Sequence, residues 1–560
     1  MKGPSRISLV ILFSASVHAQ SSGPNVEWST SRGDAQGSSW LRSDAFISPE
    51  RMRAKSPVFE LQWKLKLSNE QRQLNSLTPA VTIGGAGRFP LSVVGGSSNN
   101  FHGFDNVSGI EIWDRQFEAP AVAGTLACPA GIAASGARPA PLVPPAPSTP
   151  PPLGGLFPFY GGTFGGGVGA PGEGIPPELM AFRRFPSGAG RTTPAILKLL
   201  DAMMTQPGQE PRGGPEAPAP ASPPGRGGPS YFGGAYVVAS DGVLHSLGPL
   251  AGKDVLKPVP FLPPNAHASD LVAVENMLYA ATLNGCGGVP NGVWAIDLSG
   301  PEKPVISWKT DGGSPVGAPV VSSDGTVFVA IDGAASGIVA LDGKTLARKD
   351  WFTQRAAGVV STPVIFKYKD REMIAAVAGG GRILLLDTAS LGGADHQTPL
   401  AISAAVSGYR PDFKPAALAS WEDPGGTRWI LMPVARPTGG AIVAFKVVGE
   451  AIHPTLQQSW VSRDLVSPLA PIVVNGVIFA ASGGEYHPAS GVSTEAERVR
   501  RSIPAVVYAL DADTGKELWS SGKAVTSFVH SGGLWAGGGQ VYLSTYDNTV
   551  YAFGYAMGRH

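Results

Sequence analysis

Short apolar runs organise this chain. Stretches rich in Val, Ile, Leu and Ala alternate with clusters of Gly, Pro, Asn, Asp and Ser, and the recurring runs carry no helical period. Many of them end on a polar turn residue in a fixed register. GVWAIDL closes on Asp297, GIVALDG on Asp342 and RILLLDT on Asp387, two steps of 45 residues. Further copies place Lys446, Asp511 and Gly554 at that position. Upstream, GVLHSLG and GIEIWDR place Gly248 and Asp114 there, which makes eight copies.

Two more apolar strands precede each copy, such as SPVGAPVV and GTVFVAI before Asp342. A tryptophan follows several of them, at Trp308, Trp351, Trp460 and Trp519. Four short strands per repeat of about 45 residues is the pattern of a propeller blade. The expected fold is therefore all-β: an eight-bladed β-propeller, with seven blades as the fallback, built of four-stranded antiparallel blades over 57–560. The last copy stops six residues short of the C-terminus, without a fourth strand, while VFELQWKLKL around Trp63 is a solitary strand. Pairing these two ends removes both open edges, so the N-terminal strand is expected to complete the last blade.

The best-formed copy, VYALDADTGKELW, shows what the repeat residues do mechanically. Gly515 gives the turn its backbone freedom, and Asp511 accepts hydrogen bonds from turn amides. Trp519 buries its ring against the neighbouring blade while its indole N–H finds an acceptor. The same docking role is expected of Trp63, Trp308, Trp351 and Trp460.

ALDADTGKELW, together with EWSTSRGDAQ, FISPERM and LQWKLKL in that order, resembles the tryptophan-docking motif and opening segment of the quinoprotein dehydrogenases. These are eight-bladed propellers that bind pyrroloquinoline quinone (PQQ). The resemblance implies a quinone held between a tryptophan and a disulfide of adjacent cysteines. It also implies calcium on Glu, Asn and Asp side chains, with an Asp as base. Only Asn284, in YAATLNGCGG, matches a ligand position. The two cysteines lie 158 positions apart, the Glu and the catalytic Asp have no counterpart, and no CxxCH is present. No catalytic or metal-ligating residue is assigned. PQQ and calcium remain the cofactors that the resemblance would bring. The expected role is that of a binding or scaffold module without catalysis, with a protein of the cell envelope as partner. The alternative is a divergent PQQ- and calcium-dependent dehydrogenase of alcohols or sugars that passes electrons to a separate cytochrome.

Composition narrows the class further. A net charge of +1 with 15% charged residues argues against a nucleic-acid partner held by a global field. Lys2 and Arg6, the apolar run Ile7–Val17 and small residues before position 20 read as a signal peptide over 1–19, too short to span a bilayer. An N-terminal extension over 20–56 then leads into the propeller, and the protein is expected to be periplasmic or secreted. There Cys128 and Cys286, on neighbouring blades, are either a disulfide or two buried thiols. A Pro/Gly-rich insertion occupies 136–230 within the second blade and carries one amphipathic stretch, TPAILKLLDAMM. Histidines 102, 245, 487 and 530 fall in different repeats, and Glu485 with His487 follows a strand that can reach a propeller face.

Overall fold

The computed structural model describes residues 28–147 and 234–556, apart from 55, 85–89, 119–123, 334–335, 355–357, 437–438 and 489–492. The signal segment, the helix expected near Thr193 and most of the Pro/Gly-rich insertion lie outside the described residues. Eight small antiparallel sheets follow one another along the chain. Blade 1 begins at Val81–Gly84, blade 2 at Ala235–Val238, blade 3 at His267–Ala268 and blade 4 at Ser314–Pro315. Blade 5 begins at Val364–Tyr368, blade 6 at Ala419–Glu422, blade 7 at Ile472–Val474 and blade 8 at Leu534–Gly537.

Phe59–Lys66 is the outermost strand of blade 8 and pairs antiparallel with Thr549–Tyr555, with Trp63 opposite Ala552. The ring is thus closed by its two ends. Strand interiors are almost wholly buried, and Val, Ile and Ala fill the space between successive sheets. β-branched residues suit such a pleated, two-sided core.

Blades 1 and 2 correct three sequence expectations. In blade 1 the third strand is Asn100–Asp105, so the turn aspartate is Asp105, and Asp114 lies in the fourth strand, Glu111–Gln116. The period was read one strand late there, because blade 1 is short and its Asp stands in GFDNVSG rather than behind a β-branched run. Among the described residues blade 2 has three strands, not four, with Ala137 bridging to Tyr236. Residues 136–147, assigned to the insertion, are consequently part of the ring.

The docking tryptophans share one geometry. Trp460 of blade 6 donates its indole N–H to the Ala512 carbonyl of blade 7 at 2.9 Å, one residue after Asp511. Its ring lies on Gly515, where an added Cβ would come within 2.4 Å of the ring. Trp63 repeats this against blade 1 (Asn106 carbonyl, 3.2 Å; Gly109), and Trp113 against blade 2 (Pro249 carbonyl, 2.9 Å; Gly252). The turns are set by aspartates: Asp511 Oδ1 accepts from the Thr514 amide (3.0 Å) and hydroxyl (2.8 Å). Trp519 packs edge-on against Phe59, with ring centres 4.9 Å apart. Trp308 packs with Leu346 of blade 4, which takes the left-handed glycine position of that turn at φ 54°.

Trp351 departs from the expectation. It sits opposite Val339, one place off the register that sets Trp460 opposite Ala444 and Trp519 opposite Ala509. The slip turns its ring outward, where it is 37% exposed and stacks on His396 at 3.8 Å. Phe352 takes the buried place, against Gly392 of blade 5.

The stretch assigned as an N-terminal extension forms the centre of the ring. Trp28 accepts a backbone hydrogen bond from Thr82 of blade 1 and Ser29 one from Arg138 at blade 2. Ala35 accepts from Val321 of blade 4, Gln36 from Ile365 of blade 5, Ser38 from Ser420 of blade 6 and Ser39 from Val473 of blade 7. Trp40–Leu41 then adds in parallel to Ile472–Val474. Asp44, whose carboxylate also caps the Phe46 and Ile47 amides, accepts from Gly539 of blade 8 at 3.0 Å. One segment makes a full turn about the axis and satisfies inner-strand amides that an open channel would leave to water.

Candidate axial funnel

Above this central segment lies a funnel of about 920 Å³ lined by residues of blades 3 to 8, with Pro79 and Ala133 from the stretches before blades 1 and 2. Ser31, Arg32 and Ser39 of the central segment form part of its lining. A second cavity, of about 1140 Å³, lies against the same segment at Gln36, Ser38, Trp40 and Arg42.

One wall of the funnel holds a buried carboxylate. Glu485 follows the strand Val477–Ser482 of blade 7, and its side chain is 6% exposed. His530 Nδ1 of blade 8 lies 2.8 Å from one oxygen, Arg498 contacts the same oxygen, and His487 Nε2 lies 3.2 Å from the other. Burial alone would raise its pKa; the hydrogen bonds and charges of His487 and His530 outweigh that and hold it at about 2. Arg498 stands on the helix Glu495–Arg501, capped by Thr494, whose hydroxyl accepts from the Glu497 amide at 3.2 Å. The cluster therefore ties the excursion between two strands of blade 7 to blade 8. Sequence spacing gave Glu485 and His487 but not His530 and Arg498, which ring closure and a helical excursion bring in.

Arg32 is the second distinctive group. Its Nη2 donates to the Pro363 carbonyl at 3.0 Å, and Nη1 is buried without a hydrogen-bond partner among the described residues. Burial lowers its pKa to about 10, against the opposing pull of Asp34 and Asp270. Neither carboxylate is hydrogen-bonded to it. Asp34 is held by Arg42 (2.8 Å) and by the Ser38 hydroxyl (2.6 Å), and Asp270 accepts from the Ser135 amide (2.8 Å). Gly37, at φ 67°, leaves the space that the Arg32 guanidinium fills.

Asn284 is an exposed left-handed turn residue at φ 59°, and its amide donates to the Ala127 carbonyl at 2.9 Å. Cys286 and Cys128 are bonded to each other beside it. Neither Asn284 nor either cysteine lines the funnel. Calcium takes six to eight converging oxygens. Two of the funnel's three carboxylates answer cations, Glu485 as described and Asp412 on Arg410 (3.0 Å), and the third, Asp270, accepts from the Ser135 amide (2.8 Å). The group of three His, Asp and Glu side chains whose donor atoms converge within 4.8 Å, among the described residues, is His102, Glu111 and Asp114 on blade 1, away from the axis. The funnel residues do not fit the calcium–quinone pair that the resemblance implies.

Residues 481–560, the end of blade 7 and all of blade 8 but its closing strand, match the family profile described as outer membrane protein assembly factor BamB, PQQ_2. Among solved structures, the chain is similar to BamB from Moraxella catarrhalis, with 14% identity and a TM-score of 0.38, over 58% of this chain and 81% of that one. No curated protein matches the chain. No helix among the described residues is long and apolar enough to cross a membrane.

Proposed function

We propose that the protein is a non-catalytic binding propeller of the cell envelope or the extracellular space, which presents its funnel to a protein partner. The observation that carries this reading is the state of the axis. The chain's own residues 28–44 fill the centre, and two of the funnel's three carboxylates, Glu485 and Asp412, are committed to internal pairs. A propeller without converging metal oxygens keeps what the fold supplies to any function, a rigid concave surface. The match of residues 481–560 to an outer-membrane assembly profile supports an envelope partner, as does the secretory pattern of residues 1–19.

The test is reconstitution. Purified protein incubated with PQQ and calcium, then desalted, is expected to retain no quinone absorbance and to show no dye-linked oxidation of alcohols or sugars. Retained quinone with turnover would overturn the reading in favour of a dehydrogenase.

A further inference from the structure

The charges around the funnel do not balance. Arg410 is paired with Asp412 (3.0 Å), Lys414 with Asp332 (2.6 Å) and Arg501 with Glu497 (3.2 Å), while Arg498 answers Glu485. Arg32 and Arg436 remain, against one lining carboxylate, Asp270, which accepts from the Ser135 amide at 2.8 Å and whose charge acts on Arg32 without an ion pair. Arg32 forms part of the funnel's lining, and Arg436 lines it where the strand Arg428–Arg436 of blade 6 ends. Among the described residues neither has a carboxylate at ion-pair distance, and each has a buried nitrogen without an acceptor: Nη1 of Arg32 and Nε of Arg436. A buried donor left unpaired costs about 1–3 kcal/mol, more when charged, so two in one cavity mark a place prepared for acceptors. Guanidinium forks match carboxylates in shape as well as charge.

The mouth adds an apolar element. Val466 (43% exposed) and Ile503 (50% exposed) line the same funnel, with Phe413 and Tyr486. A small carboxylate would leave those side chains wet. A peptide that alternates acidic and apolar residues satisfies both, and the funnel, at about 920 Å³, lies near the upper end of the ~300–1,000 Å³ range of ligand sites.

We propose that the funnel is a receptor for an acidic peptide segment of the partner, its carboxylates seated on Arg32 and Arg436 and its apolar side chains on the Val466–Ile503 rim. The proposal rests on the reading of the propeller as a binding module. The probe is a fluorescein-labelled peptide of four Glu-Leu repeats, titrated by anisotropy against the full mature chain, with a Gln-Leu peptide as control. Saturable binding of the Glu-Leu peptide is expected, weakened by added NaCl. R436Q should weaken it about tenfold, the worth of one charged hydrogen-bonded contact. R32Q should do the same, provided its melting temperature shows that the centre is intact. K414Q, whose cation already has Asp332, should change binding less than twofold. Equal binding of the Gln-Leu peptide, or indifference to R436Q, overturns the proposal. Displacement by glutarate at matched carboxylate concentration with equal potency overturns the choice of a peptide. A negative peptide result without quinone retention sinks only this inference, whereas quinone retention with turnover sinks the functional reading itself.

Discussion

Glu485 illustrates how a single side chain links distant parts of the chain. Its folded-state pKa of about 2 lies below the ordinary carboxylate value near 4.5. A depressed acid contributes stability that is present above the unfolded value and is lost as pH falls through the folded one. The shift corresponds to about 3 kcal/mol at neutral pH, as an order of magnitude. Acid unfolding followed between pH 5 and pH 2 should therefore steepen in that window for the wild type, and E485Q should flatten it. An unchanged slope in E485Q would remove the cluster as a staple between blades 7 and 8. At this scale the sequence was a partial guide. Asp511 and Gly515 were legible because a turn needs those residue types locally. Arg32 was not: its burial follows from Gly37 and from blades that lie hundreds of residues away.

Between blades, the unit of cohesion is a tryptophan on the next blade's turn. Trp113 is 7% exposed, donates to Pro249 and rests on Gly252, whereas Trp351 is 37% exposed on a histidine. Removing a buried large ring leaves a cavity worth about 3–5 kcal/mol, while an exposed one costs little. W113A should thus lower the melting temperature markedly and W351A only slightly. The reverse order in differential scanning fluorimetry would show the assignment to be wrong. Trp351 was misplaced from sequence because period-two strands tolerate no slip: one residue moves a ring to the other face. Trp113 was passed over for the same reason in blade 1, where the strand count slipped by one. The repeat period is legible, but the make-up of the weak second copy depends on the bridge from Ala137 to Tyr236, which no local pattern encodes.

For the whole molecule, Cys128 and Cys286 join the stretch before blade 2 to blade 3 across 158 positions of sequence, enclosing the tract between them in a covalent loop. Closing a loop of that length restricts the unfolded chain, and losing it commonly costs about 2–5 kcal/mol. Denatured, unreduced protein should show no free thiol, and C286S should unfold at a lower temperature than the wild type. A C286S variant as stable as the parent would show that the ring draws nothing from the bond.

An open stack of repeats can shed an end unit and keep the rest, because each unit leans only on its neighbours. Here Trp28–Asp44 is the spindle and the pairing of Phe59–Lys66 with Thr549–Tyr555 is the latch, so neither is expendable. Trp28 to Asp44 are made before every blade, yet they are not fully seated until blades encoded up to about five hundred residues later arrive. The molecule is consequently finished all at once, and a chain cut short anywhere before Tyr555 would have a hub with no wheel to hold it.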